Sequence, residues 1–215
     1  MTDAAARMDR IYRHQRYIYD FSRKFYLLGR DQLIAEVGAK PSDAILEVAC
    51  GTARNLVKLA RAYPRSPCFG FDVSAEMLDS ASRAVQRAGV ANKVALAQGD
   101  ATSFDPQQLF RRARFERIVI SYALSMIPPW REALAHALDQ LAPGGSLHIV
   151  DFGDQARLPG WFRVALHRWL AAFHVTPRTD MTRVVAELAE QKGMRWRTMS
   201  RFGGYAVYAV IERSF

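Results

Sequence analysis

Cysteine is nearly missing from this sequence, and long apolar runs are missing altogether. Only Cys50 and Cys68 occur, spaced for neither a metal site nor a redox pair. A disulfide scaffold is therefore excluded, and a reducing, cytoplasmic setting is the expectation. No stretch approaches the roughly 18 uninterrupted apolar residues of a membrane-spanning helix. Met1–Arg10 lacks a continuous apolar core and does not read as a signal peptide. Acid is short relative to base: 30 Lys and Arg against 21 Asp and Glu give a net charge of +9. That points to polyanions, either nucleic acid or the anionic cytoplasmic face of a membrane, although solvated surface absorbs part of any such excess. Repeats and low-complexity tracts are absent too.

What is present is ordinary for a globular chain. Half of the 215 residues are hydrophobic, enough for one sizeable core and cramped for two. Short apolar runs alternate with helical patterns, which predicts a parallel sheet covered by helices. The strands read as Ala44–Ala49, Pro67–Phe71, Lys93–Gln98, Arg117–Tyr122 and Ser146–Phe152. The helices read as Arg54–Tyr63, Ala75–Arg87 with Ser74 as N-cap, Trp130–Leu141 and Asp180–Lys192, the last stopped by Gly193. Ala142-Pro143-Gly144-Gly145 reads as a tight turn into the fifth strand. Met194–Arg201 and Tyr205–Ile211 alternate like two strands around Gly203-Gly204. The expected fold is a doubly wound α/β sheet of seven strands ending in an antiparallel hairpin.

Two basic, aromatic, amphipathic segments stand outside this pattern. Arg7–Gly29 carries Ile11, Tyr12, Ile18, Tyr19, Phe25 and Tyr26 among arginines, and Leu158–Val175 carries Trp161, Phe162, Trp169 and Phe173. Both compositions suit a membrane interface; both also suit packing on the domain. The chain divides accordingly into an N-terminal amphipathic segment (1–30) and a main domain (31–215) with an amphipathic insertion at 157–178.

The chemistry concentrates at strand ends. Glu47-Val48-Ala49-Cys50-Gly51-Thr52-Ala53 runs from a strand through small residues into a helix, which brings backbone N–H groups close to a ligand. Asp72 ends the second strand, about 20 residues later, where a carboxylate accepts the hydroxyls of a ribose. These two features establish only an adenosine ligand. Asp100 then ends the third strand, placed to meet an adenine amino group, and Pro143-Gly144-Gly145 precedes the fifth. From Ala44 to Phe152 the set resembles class I S-adenosylmethionine-dependent methyltransferases, with alanine at positions 49 and 53 where that family usually has glycine.

The resemblance implies S-adenosylmethionine as methyl donor and assigns roles by position. Glu47 would hold the loop and reach the donor's amino group; Ala49, Gly51 and Thr52 would line its methionine portion. Asp72 would bind the ribose, Val73 and Met77 would flank adenine, and Asp100 and Ala101 would meet its edge. Ser121 and Tyr122 would lie beside the sulfonium.

A narrower resemblance concerns the acceptor. Tyr12–Asp20, Leu27-Leu28-Gly29-Arg30-Asp31 and Ser121–Pro128 look like the bacterial betaine-lipid N-methyltransferases, which methylate the amine of diacylglyceryl-homoserine. Phosphatidylethanolamine N-methyltransferases share much of that architecture. The resemblance implies a peripheral enzyme that takes a lipid from an anionic membrane surface without spanning it. Tyr19, Tyr122 and Asp151 are then the catalytic candidates for orienting the amine, and His174 and Arg178 the candidates for an anionic head group. His148, central in a strand, reads as a packed histidine. Nucleic acid is not the expected partner, because base-amino methyltransferases carry an Asn/Asp-Pro-Pro-aromatic run where this chain has Ser121-Tyr122-Ala123-Leu124. A soluble small-amine methyltransferase and a non-catalytic lipid-surface protein are the remaining readings.

Overall fold

The computed structural model describes residues 27–173 and 175–215. Tyr19 and His174 lie outside the described residues, as does nearly all of the amphipathic segment expected over Arg7–Gly29.

The described chain opens on a short helix, α1 (Arg30–Glu36), and then alternates: β1 (Ile45–Val48), α2 (Arg54–Ala62), β2 (Cys68–Asp72), α3 (Ala75–Arg87), β3 (Val94–Gln98), α4 (Pro106–Phe110), β4 (Phe115–Ser121), α5 (Trp130–Asp139) and β5 (Leu141–Phe152). It continues through α6 (Gly160–Ala172), α7 (Met181–Gln191), β6 (Arg195–Arg201), a 3-10 turn (Phe202–Gly204) and β7 (Ala206–Glu212). The seven strands form one sheet in the order β3-β2-β1-β4-β5-β7-β6. The first five are parallel, while β7 runs antiparallel to both β5 and β6. This is the expected doubly wound, Rossmann-like methyltransferase fold with its terminal hairpin.

Side chains alternate across each strand, so successive residues feed opposite cores. Leu46, Val48, Ile118, Ile120, Leu147 and Ile149 face α5 and α7. Ile45, Val119, Val150 and Phe152 pack instead with Leu33 and Ile34 of α1, Leu56 and Leu59 of α2, and Leu166 and Leu170 of α6. β1 is covered on both faces and buried at all four positions, with Glu47 the one polar side chain among Ile45, Leu46 and Val48. Gly70 in β2 belongs to the same packing: a Cβ there would run into Leu56 and Cys50, so the missing side chain lets α2 close on the sheet. Cys50 is simply buried beside it.

Three local features differ from the sequence expectation. Ala142–Gly145 is not a turn before β5 but part of it. The register jumps from Phe115↔Leu141 to Arg117↔Ser146, and Gly144, at φ 71°, absorbs the extra residues as an irregularity inside one long strand. The helix α4 was not expected, although Asp105 caps it by accepting from Gln107 N–H (2.8 Å) and Pro106 occupies its first turn, a legible start signal. The helix α1 begins at Gly29, which is left-handed and offers no side-chain cap, so no conventional signal announced it. Ser74, by contrast, caps α3 as expected, accepting from Met77 N–H at 3.3 Å.

Candidate active site

The strand order reverses between β1 and β4, and helices leave that point toward opposite faces. A crevice opens there at the carboxyl ends of the strands. Register fixes what lines it. Val48 pairs with both Phe71 and Ile120, Asp72 with Gln98, and Ser121 with Val150. Ala49, Asp72, Ser121 and Asp151 therefore sit along one edge of the sheet, and Asp100 follows just beyond β3.

The loop after β1 turns by left-handed backbone at three residues: Ala49 (φ 52°), Gly51 (φ 55°) and Ala53 (φ 61°). Glycine takes this conformation freely, whereas a Cβ costs about 1–2 kcal/mol. The two alanines thus hold the conformation that the family's glycines would hold, at some strain. Asp72 ties the loop down: its Oδ2 accepts from Gly51 N–H (2.8 Å) and its Oδ1 from Ser74 N–H (3.0 Å). Asp100 is organised by Thr102, whose N–H and hydroxyl both donate to Oδ1 (2.8 and 2.7 Å). Gln98 bridges the two strand ends by donating to Val73 O (2.9 Å). Met77 is buried against Met126, from the loop after β4, and Phe173, at the end of α6. Ala101 is buried nearby, and Thr52 is half-buried within the loop.

Glu47 is 2% exposed. Its Oε1 accepts from Asn55 Nδ2 (2.7 Å), while Oε2 has no hydrogen-bond partner among the described residues. Burial is the main reason its carboxyl is raised to about 7, with Asn55 and Arg30 opposing. Ser121 Oγ is likewise buried without a partner. Unsatisfied buried oxygens cost stability and call for a reason; a ligand with donors to offer supplies one.

Beyond β4 the wall is a connected network. Asp151 is fully buried, accepting from Ser125 N–H (3.1 Å) and Phe152 N–H (2.8 Å). Burial lifts its carboxyl to about 6 against those bonds. Thr176 N–H donates to Ser125 O (2.9 Å), and Arg178 donates to Leu124 O (3.0 Å) and Ile127 O (2.9 Å). Two of the Arg178 donors are therefore spent on holding the loop after β4, which the sequence did not foretell. Tyr122 is buried at φ 54°, and its hydroxyl donates to Leu28 O at 2.7 Å. Burial pushes that phenol well above its ordinary value, so it stays protonated. His148 is packed as expected but only half satisfied: its Nε2 meets Ser146 Oγ (2.8 Å) while Nδ1 has no partner among the described residues, and burial lowers it to about 4. Among the described residues no cluster of His, Cys, Asp or Glu could hold a metal ion.

With this geometry in view, the relatives of the chain become informative. Residues 45–145 match the family described as a methyltransferase domain. That match to a methyltransferase domain covers a little under half of the chain. The chain is 28% identical over 144 residues to a ubiquinone/menaquinone biosynthesis C-methyltransferase of Desulfotalea psychrophila, covering 65% of this chain and 55% of that protein. It is 27% identical over 138 residues to a trans-aconitate 2-methyltransferase of Streptomyces coelicolor, covering 63% and 42%. The chain thus spans about half the length of these curated relatives. Among solved structures, an O-methyltransferase family protein from Burkholderia thailandensis superposes with a TM-score of 0.73 at 17% identity, covering 95% of this chain and 62% of that one. A geranyl diphosphate methyltransferase in complex with sinefungin gives 0.65 at 12%, covering 86% and 76%.

The methyltransferase domain takes S-adenosylmethionine as its cofactor, and its residues fit that group. Gly51 permits close backbone approach, Asp72 and Asp100 stand at successive strand ends, and the orphaned Glu47 Oε2 awaits a donor. Sequence reasoning named these positions from strand ends, spacing and the family resemblance. It missed Arg30, Ser125, Met126 and Phe173, which reach the edge only through tertiary packing.

Proposed function

We propose that this chain is an S-adenosylmethionine-dependent N-methyltransferase that methylates the amine of a membrane lipid, diacylglyceryl-homoserine, in three successive transfers to give a betaine lipid. One observation carries the lipid part of the reading. A run of aromatic rings leads from the strand edge to the surface: Tyr122 to Phe152 (4.8 Å), Phe152 to Tyr205 (5.8 Å), Tyr205 to Phe162 (6.5 Å) and Phe162 to Trp161 (5.9 Å). It emerges at Trp161, 74% exposed on α6. Phe202, also exposed, sits in the β6–β7 turn, whose Gly203 O accepts from Arg157 N–H (3.1 Å) at the approach to α6. No acid occurs between Asp154 and Asp180, while Arg157, Arg163 and Arg168 are exposed there. Aromatic rings set among arginines suit an anionic bilayer, each surface cation adding about 1 kcal/mol. No helix among the described residues is long and apolar enough to cross a membrane, so contact would be peripheral.

Bound S-adenosylmethionine supplies an electrophilic methyl group. The residues of the chain contribute position: nitrogen must approach in line with the bond that breaks, and holding that geometry is the principal catalytic contribution. Tyr122, with Tyr19, would orient the amine through phenol oxygens; Asp151 would act from behind by fixing Ser125 and the loop after β4. Arg178 and His174 would face the acceptor's anionic group. The curated relatives are named for other acceptors, so the amine rests on the three segments of this chain that resemble betaine-lipid enzymes.

Purified protein is incubated with labelled S-adenosylmethionine and vesicles containing either diacylglyceryl-homoserine or phosphatidylethanolamine, and the products are weighed by mass spectrometry. Stepwise addition of one, two and three methyl groups to diacylglyceryl-homoserine supports the proposal. Label only in phosphatidylethanolamine moves the head group, and label only in a water-soluble amine overturns the lipid reading.

A further inference from the structure

Apolar side chains bridge the crevice. β2 and β4 pair with β1 from opposite sides, so their carboxyl ends stand two strand spacings apart, about 10 Å, with the loop after β1 between them. Met77, in the first turn of α3 after β2, is nevertheless buried against Met126, from the loop after β4, and Phe173. The contact among these three residues therefore crosses the end of β1.

Phe173 links that bridge to the surface. It is the C-cap of α6, and the Trp169 ring meets it edge-on at 5.0 Å. The chain that follows is sewn to the loop carrying Met126, through Thr176 N–H to Ser125 O and Arg178 to Leu124 O and Ile127 O. The opposite end of α6 carries Trp161, 74% exposed. A helix of 13 residues is about 20 Å long, so one rigid element reaches from the crevice to the proposed lipid face. Its hold on the domain is light. Only Leu166 and Leu170 within it are buried, and His167 meets Gln155 Oε1 at 2.8 Å. Few buried apolar side chains make a small displacement of a helix inexpensive.

We infer that α6 couples donor binding to the bilayer: both favour the position of the helix that lays Phe173 on Met77 and Met126, so each tightens the other. The inference rests on the lipid face proposed above and adds to it a control of the same site. A donor lodged beneath the bridge gives its side chains more apolar surface to close on, which fixes α6 and with it Trp161 and the neighbouring arginines. A bilayer that holds Trp161 takes freedom from the same helix and lowers the entropy cost of closing Phe173. Linkage makes the two effects equal in size. Donor is then retained best where a lipid acceptor is at hand.

Two measurements on the full chain test it. Calorimetric titration with S-adenosylhomocysteine is run with and without vesicles of phosphatidylglycerol and phosphatidylcholine, and vesicle sedimentation with and without saturating S-adenosylhomocysteine. Each ligand is expected to tighten the other by the same factor, at least about fivefold. Phe173→Ala is expected to bind both ligands singly while that factor falls below about twofold, and Phe173→Leu to restore part of it. A purely structural phenylalanine would weaken each ligand alone and leave the factor intact, which overturns the proposal. Vesicle binding by wild type with no mutual factor overturns the coupling and leaves the lipid face standing; no vesicle binding at all overturns both. Hydrogen exchange of lipid-free wild type gives a reading even if the variants fail to fold. S-adenosylhomocysteine is expected to slow exchange across α6, and protection confined to the loop after β1 would overturn the proposal.

Discussion

In a Glu47→Gln variant the buried carboxyl gives way to an amide of nearly the same shape, whose Oε1 can still accept from Asn55. The amide resembles the protonated acid but never ionises. Wild-type Glu47 has an ordinary value of 4.5 raised to about 7 in the folded chain, chiefly by burial. The folded state therefore binds this proton more tightly than the unfolded one. The stability this confers is complete below pH 4.5 and lost as pH rises through about 7. At about 1.4 kcal/mol for each decade, ionised Glu47 costs the ligand-free protein roughly 3 kcal/mol near pH 8 and less than about 1 kcal/mol at pH 5. Removing the charge should stabilise the variant by those amounts. For a chain of this size roughly 3 kcal/mol corresponds to a midpoint increase of about 6–12 °C. Asp151 and His148 titrate in both proteins and cancel from the comparison. Thermal or urea melts of ligand-free wild type and variant at pH 5 and pH 8 read the effect directly. A difference that fails to grow between the two pH values, or a variant less stable at pH 8, refutes the desolvated-carboxylate argument. Losing donor affinity while gaining stability is the expected pattern for a residue kept for binding.

Four further outcomes follow from particular contacts. Ala49→Gly removes a Cβ from left-handed backbone at a half-buried position and should stabilise by about 0.5–1 kcal/mol in urea melts; no gain would mean that the loop relaxes in solution. Gly29→Ala should destabilise by at least about 2 kcal/mol, from strain and collision with Tyr208, and a neutral result in the same melts would refute that collision. His148, lowered to about 4 from 6.5, is neutral when folded and takes a proton more readily unfolded. Its contribution is intact above pH 6.5 and lost as pH falls toward 4, so His148→Gln should flatten acid destabilisation over that range by roughly 3 kcal/mol. Trp161→Ala combined with Phe202→Ala should weaken sedimentation with anionic vesicles several-fold while leaving calorimetric S-adenosylhomocysteine binding intact; unchanged sedimentation would remove the proposed membrane face.

The sequence by itself determined most of the order of strands and helices and the sheet edge on which Glu47, Asp72 and Asp100 lie. Those properties are local. Apolar runs of strand length, the Ser74 cap and the spacing of Glu47, Asp72 and Asp100 are written into neighbouring residues, and parallel winding then sends every strand end to the same side. Tertiary structure decided what each side chain has left to offer. Arg178 looked free in sequence and spends two of its donors on Leu124 and Ile127; Tyr122 looked like a bare phenol, and its hydroxyl proton goes to Leu28 O. Arg30 is buried at the start of α1, where Tyr122 and Tyr208 donate to the two carbonyls before it. Hydrogen bonding and desolvation depend on atoms far apart along the chain, and periodicity carries no record of them.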